Sequence, residues 1–301
     1  MINRYIRMVS NMTRAKGVEM SFDSGDSTER LLSLKEIQAH EKEILQILWQ
    51  YCRKHKIRMW LTYGSLLGAV RHKDLIPWDD DIDVVMLADD YFQLIELLKE
   101  TNGFIDDRYR FVCSAIDSRC PVSWGKVIDT HTLVEEEILD IDSIPSLNGL
   151  WVDIFPLYGV HKQKFIQKSA TTVSDFLYLL MRIACWKRLP GIGKRGQLVA
   201  SICGRFAKRI GYASFAKALE LWLKFCFPTT KKAQSVFYSA HSEREFPITL
   251  FQKSIPLVFG NRKYPAPANY DTMLTMMYGD YMTIPPVEER VYHPMKAWLL
   301  K

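Results

Sequence analysis

The stretch that decides the fold is an aspartate-rich segment that runs directly into an apolar one, Pro77-Trp78-Asp79-Asp80-Asp81-Ile82-Asp83-Val84-Val85-Met86-Leu87. Side chains alternate faces along an extended backbone, so Asp79, Asp81 and Asp83 are predicted to converge on one side while Ile82 and Val84 enter a core. Neighbouring carboxylates repel one another unless a cation or hydrogen-bond donors compensate. Because oxygen-only ligands favour a hard ion, the segment predicts a Mg2+ site at a strand edge, with Mn2+ as the alternative ion.

Two other interpretations of the aspartate segment compete with the metal site. A solvated loop would also be rich in aspartate, but the hydrophobic strand that follows holds this segment in a fixed place. A calcium loop counted from Asp79 needs glycine at its sixth position and glutamate at its twelfth. This chain has Val84 and Asp90 there, so the calcium loop fails on geometry.

A tight turn lies just upstream of the aspartates. Residues 59–63 are predicted to form a short strand, and Gly64 and Ser65 open a helical pattern that runs to residue 71. A glycine and a small hydroxyl residue at such a turn let backbone N–H groups approach a phosphate, with the positive end of a helix behind them. The dipeptide alone is a weak signal, but next to the aspartates it predicts a phosphate cradle.

Asp153 is a single carboxylate in the apolar stretch 150–157. A lone buried acid is costly unless it is paired or bound to a metal. If its strand lies beside that of Asp83, Asp153 completes a cage of three carboxylates with Asp81 and Asp83 for one or two metal ions. The alternative is a surface or strand-end aspartate.

Lys126 and His293 are further candidate residues, each with more than one interpretation. Lys126 lies in a strand-like piece, where it faces either a phosphate or solvent. His293 contacts a phosphate, carries a proton or serves a purely structural role, and the last is the commoner use of a lone histidine.

Composition limits the class of protein. A chain of 301 residues with 48% hydrophobic residues is one large domain or a domain with a substantial insertion. It has no uninterrupted apolar run of membrane-spanning length and no signal-peptide pattern, so the expected location is the cytoplasm. Its six cysteines show no metal-binding spacing and are interpreted as buried thiols.

Charge is distributed unevenly along the chain. Residues 161–232 carry 15 Lys or Arg against 2 acids, whereas the rest carries 25 against 32. We therefore predict a basic helical insertion within a catalytic domain, with the boundaries 1–30 (loosely ordered), 31–160 (core), 161–235 (insertion) and 236–301 (remainder of the core). Its apolar stripes are predicted to pack in a helical module, one of them formed by Leu198, Val199, Ile202, Phe206 and Ile210. Its basic face suits an anionic membrane surface or a polyanionic acceptor, or is simply solvated.

With these residues in view, the chain resembles the LicD family of phosphocholine transferases, which is similar to the nucleotidyltransferase superfamily. The matching pieces are residues 61–73, 76–83, 152–157 and 278–282, followed by Pro285, Pro286 and His293. The resemblance implies an α/β (α+β) fold, in which a nucleotidyltransferase-like mixed β-sheet core is flanked by helices. It also implies that the strand carrying Asp81 and Asp83 lies at the centre of that sheet.

The implied reaction is metal-dependent transfer of phosphocholine, or a related phospho-alcohol, from a CDP-linked donor such as CDP-choline. The implied acceptor is a hydroxyl of a cell-surface glycan or lipid-linked glycan, as in modification of lipopolysaccharide or teichoic acid. Ring faces for a choline group could come from Trp60, Trp78, Trp124, Trp151 or the tyrosines, although core packing is their default role.

The resemblance also assigns roles to the candidate residues. Asp81 and Asp83 would hold Mg2+ against the donor diphosphate, and Asp153 would bind a second ion or accept the proton of the acceptor hydroxyl. Asp79 would act as a ligand or only orient the others. Gly64 and Ser65 would hold phosphate oxygens, and the resemblance adds a charged contact from Arg71.

Two alternative functions stay open. A true nucleotidyltransferase would use the same metal cage but would transfer the nucleoside monophosphate. A non-catalytic protein would bind a polyanion or the inner face of a membrane through residues 161–235 alone. No nucleic-acid partner is expected under the main interpretation.

Overall fold

The computed structural model of the protein describes residues 29–120, 122–136, 148–185, 194–227, 235–238, 245–290 and 295–300. Its helices are α1 (Leu34–Lys54), α2 (Tyr63–Arg71), α3 (Ala88–Lys99), α4 (Lys164–Cys185), α5 (Lys194–Ile210), α6 (Tyr212–Cys226) and α7 (Tyr270–Tyr278). Its strands are β1 (Glu29–Leu31), β2 (Trp60–Leu61), β3 (Ile82–Leu87), β4 (Tyr109–Val112), β5 (Gly125–Asp129), β6 (Thr132–Glu136), β7 (Trp151–Gly159), β8 (Ser235–Tyr238), β9 (Glu245–Pro247), β10 (Ser254–Phe259), β11 (Arg262–Pro267) and β12 (Met295–Leu300). Short 3-10 helices span Ile248–Phe251 and Val287–Glu289. The α+β class predicted from the sequence is confirmed.

Helix α1 begins at a capping box. The Glu36 carboxylate accepts hydrogen bonds from the Ser33 backbone N–H, at 2.9 Å, and from the Ser33 hydroxyl, at 2.8 Å. These bonds satisfy groups that a helix start leaves unpaired. One stripe of the helix is buried and packs across the main sheet, and it comprises Ile37, Glu41, Ile44, Leu45, Leu48 and Cys52. This buried stripe therefore contains one acid, Glu41, among apolar residues.

The main sheet is mixed, and its central path has the order β2-β3-β7-β5-β4, with β8 and β9 continuing from β7. Strand β3 pairs with β7 in parallel, whereas β5 pairs with β7 antiparallel. The middle strand of the path is thus β7, which carries Asp153. The expectation that the strand of Asp81 and Asp83 occupies the centre is therefore wrong: β3 lies one position from it, and Asp81 precedes β3.

Two smaller sheets complete the described strands. Strands β1, β12 and β6 form one, in which β12 pairs antiparallel with both neighbours. Strands β10 and β11 form an antiparallel hairpin, as the sequence predicts. The hairpin packs against β2 and α2, so the carboxyl-terminal part of the chain supports the turn that follows β2.

The basic insertion is helical, as predicted, but one of its apolar stripes does not face the protein. Helix α4 packs against both α5 and α6. On α5 the inward contacts are made by small side chains, namely Ala200, Cys203 and Ala207. The larger apolar side chains of that helix point to solvent, namely Leu198, Ile202, Phe206 and Ile210. The prediction that this stripe packs in the helical module is therefore wrong, because the inner face of α5 uses small residues that let α4 approach closely.

All six cysteines are free thiols, and four of them are buried, namely Cys52, Cys113, Cys120 and Cys185. Cys203 and Cys226 are half-buried. The prediction of buried thiols is thus confirmed for four positions. Among the helices described, none is both long enough and apolar enough to cross a membrane.

Candidate active site

Two aspartates stand side by side on neighbouring strands of the main sheet. Asp83 of β3 is in register with Asp153 of β7, and the two strands run parallel. Partners in a parallel pair project to the same face of a sheet, so both carboxylates emerge on one side. Each residue is buried, with only 8% of its surface exposed. The sequence prediction that the two strands are neighbours is confirmed.

The turn between β2 and α2 lies against these strands. The Asp83 backbone N–H donates a hydrogen bond to the Ser65 hydroxyl oxygen, at 2.8 Å, and the Thr62 N–H donates to the Asp83 carbonyl, at 3.1 Å. A Cβ atom at Gly64 would come within 2.6 Å of the Asp79 carboxylate, so a larger residue here would displace that side chain. The predicted phosphate cradle is therefore directly adjacent to the aspartate segment.

Tyr63, the first residue of α2, has a left-handed backbone, with φ of 44°. This conformation is costly for a residue with a large side chain, and such strain concentrates at functional sites. Its ring contacts Phe155 edge to face, with centroids 5.7 Å apart. The strained turn thus packs onto β7 two residues beyond Asp153.

Asp153 is held by two tryptophans and a lysine. The indole N–H of Trp124 donates to one carboxylate oxygen, at 2.6 Å, and that of Trp151 donates to the other, at 3.0 Å. The Lys126 ammonium is 3.6 Å from Asp153 Oδ1 and 3.6 Å from the centroid of the Trp151 ring. Burial raises the pKa of Asp153, and the charge of Lys126 opposes that rise. This arrangement fixes the orientation of the carboxylate.

Lys126 is buried in this environment, with a relative exposure of only 5%. The interpretation of Lys126 as a solvated side chain is therefore wrong. A buried ammonium needs a charge partner, and Asp153 supplies it. The ring of Trp151 adds a cation–π contact to the same group.

Glu41 is a site residue that the sequence reasoning missed. It lies on α1, it is 1% exposed, and its Oε2 atom has no hydrogen-bond partner among the described residues. Burial raises its pKa well above the ordinary value of 4.5, and the negative charges of the aspartate segment, Asp81 foremost, raise it further. The missed signal was an acid in the middle of the apolar stripe of α1, four residues from both Ile37 and Leu45.

Helix α1 also touches the aspartate segment directly. The Gln38 side-chain amide donates to the backbone carbonyl of Asp79, at 2.7 Å, and to that of Ile76, at 3.4 Å. Gln38 and Glu41 are three residues apart on a helix and therefore share a face. This face places the Glu41 carboxyl behind the segment that carries the predicted metal ligands.

Arg71 contacts the carboxyl-terminal part of the chain. Its guanidinium donates to the backbone carbonyls of Tyr281, at 3.1 Å, and Thr283, at 3.4 Å. It also lies 6.0 Å from the centroid of the Trp78 ring, on which the guanidinium of Arg290 stacks at 4.1 Å. Tyr281, Thr283 and Arg290 thus contact Arg71 and Trp78, next to the aspartate segment. The predicted contact between Arg71 and a phosphate stays a prediction, and His293 lies outside the described residues.

The donor chemistry at this site fits a hard divalent cation, because every acid offers oxygen ligands only. Within the part of the chain that the structure describes, no group of three His, Cys, Asp or Glu side chains is already arranged to hold a metal ion. Burial and the negative charges of the aspartate segment raise the pKa of Glu41, so negative charge is concentrated beside this carboxyl.

Fold and site together define an α+β protein with an acidic site where two parallel strands meet a strained strand-to-helix turn. Residues 56–176 match the family described as LicD/FKTN/FKRP, nucleotidyltransferase domain. The resemblance noted in the sequence is therefore confirmed for this part of the chain.

Two relatives extend this finding. The lipopolysaccharide cholinephosphotransferase LicD of Haemophilus influenzae is 26% identical over 274 residues, which cover 89% of this chain and 99% of the relative. The human ribitol 5-phosphate transferase FKRP is 34% identical over 102 residues, which cover 34% of this chain and 17% of that protein. Both relatives are named as transferases of a phospho-alcohol group.

Proposed function

We propose that the protein transfers phosphocholine, or a related phospho-alcohol, from a CDP-linked donor to a hydroxyl of a cell-surface glycan. The observation that carries the proposal is the register of Asp83 and Asp153, inside a chain that aligns along nearly all of a lipopolysaccharide cholinephosphotransferase. The match to a ribitol 5-phosphate transferase supports the wider class of phospho-alcohol groups.

The proposed cofactor is Mg2+, with Mn2+ as a substitute. The residues that would hold it are Asp81, Asp83 and Asp153, and Asp79 is either a further ligand or an orienting group. A divalent ion bound there would neutralise charge on the donor diphosphate as the bond to CMP breaks. The buried Glu41 carboxyl behind the aspartates supports this assignment, since a cation would offset the repulsion among these acids.

The chain's own groups have distinct tasks in the proposed reaction. Backbone N–H groups at Gly64 and Ser65 bind phosphate oxygens of the donor, at the start of α2. Arg71 and His293 are proposed as further contacts to the donor, and Lys126 adds positive charge beside Asp153. The acceptor oxygen forms a bond to the phosphorus of the phosphocholine group, the bond from that phosphorus to the CMP oxygen breaks, and CMP leaves.

As the alternative to holding a second ion, Asp153 is proposed to take the proton of the acceptor hydroxyl. Its raised pKa makes it a better proton acceptor than an ordinary aspartate, and its two indole partners hold its oxygens in place. Trp124 and Trp151, which were candidates for a choline-binding cage, thereby serve as positioning residues for this carboxylate.

The proposed partners are CDP-choline, or a similar CDP-alcohol, and a glycan or lipid-linked glycan acceptor. The proposed location is the cytoplasm, with peripheral attachment to the inner face of the membrane. The basic helical insertion, with 15 Lys or Arg against 2 acids in residues 161–232, supports that attachment.

The test is CMP release from CDP-choline in the presence of Mg2+ and candidate surface-glycan fragments. Asp83→Asn is expected to lower turnover on the order of a thousandfold, because the amide no longer supplies a charged oxygen ligand to the cation that would stabilise the donor diphosphate. Asp107→Asn, at an exposed aspartate outside the site, is the matched control and is expected to keep wild-type turnover. Absence of CMP with every CDP-alcohol tried would contradict the proposal.

The same assay separates the alternative functions. A nucleotidyltransferase would attach the nucleoside monophosphate to the acceptor, so mass spectrometry of the product distinguishes the two reactions. A non-catalytic polyanion-binding protein would bind its partner without metal and would keep that binding in Asp81→Ala and Asp83→Ala.

A further inference from the structure

Helix α5 exposes an apolar stripe on the side that faces away from the protein. Leu198, Ile202 and Phe206 are 60%, 70% and 63% exposed, and Ile210 continues the stripe. A spacing of four residues keeps successive side chains on one side of a helix. Surface helices of globular proteins normally place this stripe inward, so α5 has the reverse orientation.

The buried face of α5 explains why the helix cannot rotate to bring its apolar stripe inward. Ala207 is fully buried in a cluster with Leu180, Met181 and Phe215 of the adjacent helices. Small side chains on α5 let the neighbouring helices approach closely. Rotation of α5 would replace Ala207 by a large side chain in a packed cluster, which cores tolerate poorly.

The charges that flank the stripe are all positive. Arg195, Arg205, Lys208 and Arg209 are exposed, and the sequence of Lys194–Ile210 contains no acid. Long basic side chains can extend to lipid headgroups while neighbouring apolar side chains enter the acyl region. Each basic residue near an anionic surface strengthens binding about fivefold.

We propose that α5 is the membrane-contacting element of this protein, with its stripe of Leu198, Ile202, Phe206 and Ile210 inserted into the surface of an anionic phospholipid bilayer. The helix lies along the bilayer surface and does not cross it. The inference deepens the proposed location of the enzyme, but lipid binding by α5 does not depend on the chemistry at the aspartates.

Other occupants of this face fit less well. A second copy of the chain would bring two acid-free basic helices together, and the like charges would repel. A polyanionic glycan would satisfy the arginines and lysines but would leave the apolar stripe in water. An anionic bilayer satisfies both the apolar side chains and the charges.

The test uses the full-length protein with vesicles of phosphatidylcholine, with and without phosphatidylglycerol, and measures binding by co-sedimentation. The wild type is expected to bind the anionic vesicles and to bind neutral vesicles much more weakly. The double variant Ile202→Ser/Phe206→Ser is expected to lose more than about tenfold in binding, since it removes two large apolar side chains. Circular dichroism and gel filtration check that the variant is folded.

The matched control is Ile284→Ser/Val287→Ser, which changes two apolar side chains of similar exposure outside the insertion. This control is expected to bind anionic vesicles as the wild type does. Equal binding by Ile202→Ser/Phe206→Ser and the wild type would overturn the proposal, as would equal binding to neutral vesicles. A wild-type dimer that becomes a monomer in the variant would assign the face to a second copy instead.

CMP release with a water-soluble glycan fragment keeps this test separate from the proposed function. The α5 variant is expected to retain wild-type turnover in that assay, because α5 lies outside the catalytic machinery. Vesicle binding without any CMP release would contradict the proposed reaction and support membrane contact by α5. Wild-type turnover without vesicle binding would support the proposed reaction and contradict membrane contact by α5.

Discussion

Replacing Glu41 by glutamine is expected to stabilise the metal-free protein, and the gain should grow as the pH rises. Burial and the adjacent aspartates raise the pKa of Glu41 well above 4.5, so the folded protein keeps this proton at pH values where the unfolded chain releases it. Unfolding then releases one proton, and the free energy of unfolding falls by about 1.4 kcal/mol for each pH unit between the two pKa values. The neutral amide of the Glu41→Gln variant has no such proton to release.

The assay is urea unfolding of both proteins at about pH 5, 6 and 7, with EDTA present. The wild-type free energy of unfolding is expected to fall relative to the variant as the pH rises, by at most about 1.4 kcal/mol per unit. Glu43→Gln is the matched control, because Glu43 is on the same helix with its side chain 58% exposed. The reasoning would be refuted if the free energies of unfolding of the wild type and Glu41→Gln changed in parallel with pH. It would also be refuted if Glu43→Gln differed from the wild type as much as Glu41→Gln does.

The remaining predictions concern the two strands of the site. Ser65→Ala removes the acceptor of the buried Asp83 N–H and is expected to lower the free energy of unfolding by about 1–3 kcal/mol, measured by the same denaturation. Trp124→Phe keeps an aromatic ring but removes an indole donor from Asp153, and turnover with CDP-choline is expected to fall about 10- to 100-fold. Trp49→Phe, on α1 away from Asp153, is its control, and equal losses in both tryptophan variants would contradict a positioning role for Trp124.

The parts of the site that could be predicted from the sequence are those encoded by local pattern. Alternation along 77–87 placed Asp83 at the start of an apolar strand, and a lone acid in an apolar stretch singled out Asp153. Both signals depend only on neighbouring residues, so they hold before any tertiary contact is known. The sequence also suggested that the two strands are adjacent, but the register that pairs Asp83 with Asp153 comes from the structure.

The parts that could not be predicted depend on contacts between distant residues. Trp124 lies 29 positions from the carboxylate that it holds, and nothing in its local sequence distinguishes that role from core packing. The stripe on α5 has the period of a buried helix face, and only the packing of Ala207 against α4 and α6 shows that it points outward. Periodicity identifies which side chains share a face, but it does not identify what covers that face.

Asp153 and Glu41 are two buried acids of one site with different electrostatic surroundings. Two indole donors and an ammonium group offset the negative charge of Asp153. Glu41 has an oxygen with no partner among the described residues, and its nearest charges are of the same sign. An uncompensated buried carboxyl costs stability, and proteins retain such costs mainly where function requires them.

If Mg2+ occupies the aspartates, its positive charge must weaken the repulsion on Glu41. Adding Mg2+ should therefore reduce the difference in free energy of unfolding between the wild type and Glu41→Gln. If Mg2+ left this difference in free energy of unfolding unchanged, the result would contradict an electrostatic interaction between Glu41 and the cation.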